Sequence, residues 1–162
     1  MLIKMAVDGI YYDPGTKNPV VMLTEEGGAR KLPIWIGAFE AMSILLAMEK
    51  TEVPRPITHD LTAELLRRLG ATVERVEVSK IVDGVYYAEL KLVDSAGKSV
   101  AVDSRPSDAL ALAVRFDAEV YASPEVLAAA AKGSPKGDES SEEYWKRFLE
   151  NLEPEAFGKY RM

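Results

Sequence analysis

Eight side chains able to do phosphate or proton chemistry fall in three short segments: Glu40; Arg55, His59 and Asp60; and Ser104, Arg105, Ser107 and Asp108. Each segment reads as the start of a helix with an acid in its first turn. Helix starts present free backbone N–H groups and partial positive charge, so they attract anions and order carboxylates. His59 is the single histidine of the chain, and Asp60 beside it could orient an imidazole as general base or share a divalent ion with it. Arg55 and Arg105 could each grip a phosphate or carboxylate through two N–H groups. If the three helix starts converge, acids, guanidinium groups and an imidazole surround one spot.

A purely structural account covers part of this. Gly37 reads as an N-cap, and Glu40 at the third helical position can reach back to the cap N–H. Thr58 reads as the next cap, and Asp60 interacts favourably with the helix dipole by ~0.3–1 kcal/mol. Ser104 or Ser107 can cap the third helix, where Pro106 suits the first turn. His59 has no such explanation. Two serines, an arginine and two acids (Asp103 and Asp108) exceed what one cap requires.

The elements that must position these groups can be read from patterning. Residues 2–12, 20–24 and 31–36 read as strands separated by Asp13-Pro14-Gly15, Asn18-Pro19 and Glu26-Gly27-Gly28 turns. Residues 39–48 form a helix that is apolar on nearly every side, which places it in a core or a subunit interface. Pro54 and Pro56 break it, and a second helix runs over 58–69 to Gly70. Strands 73–82 and 85–93 join at Asp83-Gly84, a short strand ends near Asp103, and a helix covers 107–116. A last strand (118–122) precedes a small Ala-rich helix opened by Ser123-Pro124-Glu125. The hexapeptide Val7-Asp8-Gly9-Ile10-Tyr11-Tyr12 is echoed by Val82-Asp83-Gly84-Val85-Tyr86-Tyr87. With a seven-residue insertion at the first turn, Glu40 falls opposite Asp108, which raises the prospect of two duplicated β-β-β-α halves. Residues 132–141 are linker-like, and Tyr144, Trp145, Phe148, Leu149 and Leu152 give 142–152 an amphipathic helical pattern. That helix is too short to stand alone and must dock.

Composition narrows the classes. The 162 residues suit one domain with a short appendage, and 48% apolar with 28% charged residues is ordinary for a globular chain. The absence of cysteine removes disulfides, thiolate metal sites and thiol catalysis, and makes the cytoplasm the default location. No apolar run approaches the roughly 18 residues of a membrane span. A net charge of −6 argues against strong non-specific nucleic-acid affinity, but not against a catalytic encounter. There is no P-loop, GxGxxG, HExxH or GxSxG. With one histidine, any metal site is mostly oxygen-lined, which favours Mg²⁺ or Mn²⁺.

Leu32-Pro33-Ile34-Trp35-Ile36-Gly37 with Glu40-Ala41, then Arg55-Pro56-Ile57-Thr58-His59-Asp60-Leu61, then Asp103-Ser104-Arg105-Pro106-Ser107-Asp108-Ala109 resemble the bifunctional nuclease family over about residues 1–131. The resemblance implies RNase and DNase activity, hence RNA or DNA as substrate. By position, Glu40, His59, Asp60, Arg105 and Asp108 fall on its motifs.

These readings set the expectations. The fold is α+β, with a mixed, mainly antiparallel sheet packed by helices (residues 1–131), then a linker (132–141) and a C-terminal helix and tail (142–162). The function is a metal-assisted phosphodiesterase. His59, Asp60, Asp108 and Glu40 are its catalytic groups, Asp60 and Asp108 hold the ion, and Arg55, Arg105, Ser104 and Ser107 bind substrate. A homo-oligomer, with a dimer favoured, is expected through helix 38–48, helix 142–152 or both, and the alternative function is a non-catalytic homo-oligomeric binding module with a small-anion pocket at the helix starts. Metal sharing requires the carboxylates of Glu40, Asp60 and Asp108 within about 4–6 Å of a common point.

Overall fold

A computed structural model describes residues 1–131, so the expected linker and C-terminal helix lie outside the described residues. The elements run β1 (Ile3–Asp13), β2 (Asn18–Glu25), β3 (Lys31–Trp35), α1 (Ala38–Met48), α2 (Thr58–Arg68), β4 (Thr72–Val82), β5 (Val85–Val93), β6 (Ser99–Ser104), α3 (Pro106–Phe116), β7 (Glu119–Ala122) and α4 (Pro124–Ala130). No helix among the described residues is long and apolar enough to cross a membrane.

The strands form one seven-stranded sheet in the order β3-β2-β1-β7-β4-β5-β6. Two antiparallel meanders, β1–β2–β3 and β4–β5–β6, flank β7, which pairs antiparallel with β1 and parallel with β4. The α+β expectation holds. In each unit the outermost strand leads directly into a helix, β3 into α1 and β6 into α3. Glu40 and Asp108 are the third residues of those helices, as the seven-residue offset requires. The hexapeptide echo does not correspond in the same way. Asp8-Gly9 sits inside β1, where a register shift between Val7 and Gly9 absorbs the extra residue. Asp83-Gly84 is the β4–β5 turn, with φ of 50° and 78°. The likeness of the halves therefore rests on topology and helix starts.

The uniform apolarity of α1 is used inside the chain. Ala41, Ile44, Leu45 and Leu46 are buried, with α1 packed on α3 and β2. Self-association through α1 is not needed to explain its sequence, although Phe39 remains 82% exposed. Within α3, Ala109 to Ala113 are all buried, and the small alanines let α1 and α3 approach closely. By contrast α2 buries only Ala63 and leaves Leu61, Leu65 and Leu69 exposed along one stripe. It ends where Gly70 adopts φ 74°, a conformation costly for any residue with a Cβ, which would also strike Ser95. At α4 the Ser123 hydroxyl accepts the Val126 N–H at 3.2 Å, so this expected cap is realised.

The unequal burial predicts unequal cost. Leu110→Ala, at a fully buried site between helix and sheet, is expected to lose about 2–5 kcal/mol in urea denaturation. Leu65→Ala on the exposed stripe should change stability by less than about 0.5 kcal/mol.

Candidate active site

Because the two edge strands feed α1 and α3, the starts of these helices meet, and the start of α2 is set against them. His59, the second residue of α2, lies between the other two and is only 13% exposed. Its Nδ1 is 2.7 Å from Ser43 Oγ on α1, and its Nε2 is 2.9 Å from Asp108 Oδ1 on α3. One imidazole thus ties three helices together.

Donor and acceptor counting fixes its tautomer. Burial pushes the Asp108 carboxyl upward, but hydrogen bonds from Arg105 and His59 outweigh this and hold it below the usual carboxylate range. Asp108 is therefore an acceptor, and Nε2 carries the proton. In the neutral ring Nδ1 is then the acceptor, so the Ser43 hydroxyl donates to it, while Ser43 Oγ accepts Arg115 Nη2–H at 3.2 Å. The Ser–His–Asp sequence of contacts is not a nucleophilic triad, because Ser43 is 3% exposed and its oxygen is already bound by Arg115.

Two arginines bracket the imidazole. Arg115, 7% exposed, donates from Nε to Asp60 Oδ1 at 2.8 Å and from Nη1 to the Ala111 carbonyl at 2.8 Å. Asp60 Oδ2 accepts the Ile57 N–H at 3.0 Å, so Ile57 stands at the cap position and Thr58, expected there, is the first helical residue. Arg105, 66% exposed, clasps Asp108 through Nε (2.8 Å) and Nη2 (3.1 Å), and its Nη1 lies 3.3 Å from Glu40 Oε1. Glu40 does not make the expected capping bond among the described residues. Its carboxylate instead lies over Gly37, where a Cβ would collide with it.

The sequence-predicted residues therefore separate. Glu40, His59, Arg105 and Asp108 line one groove of about 360 Å³. Ser107 lines an adjoining cavity of about 440 Å³ that shares Glu40 and Arg105. Asp60 lines neither and is held by Arg115. Arg55 is exposed, lines neither and has no ion pair among the described residues. The Ser104 hydroxyl is buried and unpartnered there, outside both lining sets. Patterning missed Arg115 and the role of Ser43. The signal for Arg115 was available: it is the lone charge in the run Ala109 to Phe116.

The expected Asp60–Asp108 ion site does not fit this arrangement. Among the described residues no three His, Cys, Asp or Glu side chains converge as metal ligands. Asp60 is neutralised by one arginine and Asp108 by another, with His59 and Ser43 between them.

Comparison with known proteins decides the family. A profile described as the bifunctional nuclease domain matches residues 21–134. The chain belongs to the bifunctional nuclease domain family. An uncharacterised protein of Mycobacterium tuberculosis is 36% identical over 165 residues, covering 95% of this chain and 97% of the relative. Bifunctional nuclease 1 of Arabidopsis thaliana is 34% identical over 98 residues, 59% of this chain and 30% of the plant protein. Bifunctional nuclease 1 of Oryza sativa subsp. japonica is 28% identical over 105 residues, 64% of this chain and 32% of the relative. The chain thus spans about a third of the plant family members it matches.

Two measurements follow. Nitrogen-15 spectra of the single histidine should show the neutral ring with Nε2 protonated and Nδ1 unprotonated, and the reverse tautomer would contradict the His59–Asp108 pairing. Because the folded Asp108 carboxyl titrates below its unfolded value, its ionic contribution is complete above about pH 4 and lost as pH falls through the folded value. Asp108→Asn should therefore cost about 1–2 kcal/mol near neutrality, narrowing toward zero in acid, as read by denaturation at several pH values.

Proposed function

We propose that this chain hydrolyses phosphodiester bonds of RNA or DNA in the groove between the starts of α1, α2 and α3. The observation that carries this reading is that an exposed guanidinium, two carboxylates and a tautomer-fixed imidazole meet there. The nuclease names of the plant relatives support it.

Arg105 is the phosphate ligand in this reading. Its present partners are carboxylates, so a substrate phosphate can replace them with two charge-assisted bonds of the same geometry. Asp108 Oδ1 stays on His59 Nε2–H while Oδ2, released from Arg105, faces the groove. It accepts a proton as water attacks phosphorus, and Arg105 stabilises the charge gathering on the phosphoryl oxygens. The leaving oxygen takes its proton from solvent. His59 acts by holding Asp108, with both of its nitrogens occupied. Arg55, exposed just before α2, adds a second phosphate contact along the strand. No step is routed through a resident ion, since Glu40 and Asp108 share one guanidinium and Asp60 is committed elsewhere.

In cleavage assays on single-stranded RNA and DNA with highly purified protein, Arg105→Met and Asp108→Asn should each lower turnover by about 100-fold or more. Arg55→Ala should cost only several-fold. Equal activity in all variants would identify a contaminant and overturn the assignment. Melting temperatures in EDTA, Mg²⁺ and Mn²⁺ should agree within about 1 °C, because an ion that does not bind the free fold cannot stabilise it. A rise of several degrees with either ion would reveal a resident site.

A further inference from the structure

The larger cavity contains features that phosphate binding and proton transfer do not use. Trp35, at the end of β3, and Tyr86, at the start of β5, both line it, as does Pro106 at the start of α3. The indole is fixed in place: Trp35 Nε1–H donates to Asp13 Oδ2 at 2.9 Å, and that bond, with those from Thr16 and Gly15, holds the Asp13 carboxyl below its usual range. Tyr86 is part-buried, its phenol pushed up by burial, so the ring is neutral and its hydroxyl has no hydrogen-bond partner among the described residues. Asn18, whose Nδ2 donates to the Thr16 carbonyl at 3.0 Å, also lines it and carries an amide carbonyl able to accept. At about 440 Å³ the cavity falls in the size range of small-ligand sites, and Arg105 and Glu40 form the boundary with the groove holding His59 and Asp108.

We infer that this cavity is a nucleobase subsite, in which the base next to the phosphate on Arg105 packs against Trp35 and Tyr86. The inference rests on the nuclease reading for the position of the phosphate, and it adds how an acidic chain retains its substrate. A net charge of −6 leaves little general attraction for a polyanion, so affinity must draw on contacts indifferent to charge beside the one made by Arg105. Stacking on aromatic rings is such a contact, and it tolerates any base because each has a π-face. A ring immobilised by its own hydrogen bond loses little freedom on binding. Duplex would be excluded, since its bases are not free to enter. Single-stranded nucleic acid is therefore the favoured substrate.

Calorimetric titration of the full chain with adenosine 5′-monophosphate and with ribose 5-phosphate separates the two contributions. The nucleotide should bind at least about 10-fold more tightly than the sugar phosphate. Tyr86→Ala should abolish that preference without weakening ribose 5-phosphate, Tyr86→Phe should keep it, and Arg105→Met should weaken both ligands. Equal affinities for the two ligands in the unmodified protein would overturn the subsite. So would an unchanged preference in a Tyr86→Ala protein that melts normally. Because the readout is binding, absent turnover would count against the hydrolytic reading alone, whereas turnover with no base preference would count against the subsite alone.

Discussion

A single imidazole holds the start of α2 against α1 and α3. His59 is bonded at both nitrogens, to Ser43 on one side and Asp108 on the other, and it is largely out of water. A part-buried ring nitrogen without a partner costs on the order of 1–3 kcal/mol, so the three helix starts can separate only by leaving polar groups unpaired. The sheet prepares this meeting. Its edge strands, β3 and β6, are far apart in strand order, yet each delivers a helix whose third residue is an acid, and Arg105 reaches both acids. The groove is a consequence of the topology, locked by the histidine.

The two arginines divide the labour by burial. Arg115 is inside the fold, and its guanidinium is consumed by Asp60, Ser43 and a carbonyl. Removing it would take one partner from Asp60 and one from Ser43, so its influence on the groove passes through the Ser43–His59 contact. Arg105 is mostly in water, where a salt bridge contributes little, and its bonds to Glu40 and Asp108 are correspondingly easy to exchange. In the proposed nuclease reading, a cation weakly held by carboxylates suits a site that accepts a phosphate and releases it. The same distinction separates Asp108, which faces the groove, from Asp60, which serves the scaffold.

Much of the architecture was legible in the chain because its punctuation is strong. Asp13-Pro14-Gly15, Asp83-Gly84, Gly70 and Arg105-Pro106 each mark a boundary within a residue or two of the observed one. The equivalence of Glu40 and Asp108 also survived, since it depends on helix position. The hexapeptide echo misled because Asp-Gly serves a bulge in one place and a turn in the other, and local sequence does not reveal which. Partner choice was the illegible part. Nothing local distinguishes Asp60, claimed by an arginine 55 positions away, from Asp108, claimed by one three positions away. Arg115 was overlooked because it ends a helix that otherwise reads as pure core. The cavity lined by Trp35 and Tyr86 was equally illegible, since the two come from well-separated strands, β3 and β5.

The most direct examination of the histidine clasp is a double-mutant cycle between Ser43→Ala and Asp108→Asn, measured by denaturation in two backgrounds, the unmodified chain and His59→Ala. The two side chains share the imidazole as an intermediary and make no bond to each other among the described residues. A coupling of about 0.5–3 kcal/mol in the unmodified chain that disappears in the His59→Ala background is the predicted result. Additive effects in both backgrounds would contradict the account, leaving three helix starts that lie side by side without being joined.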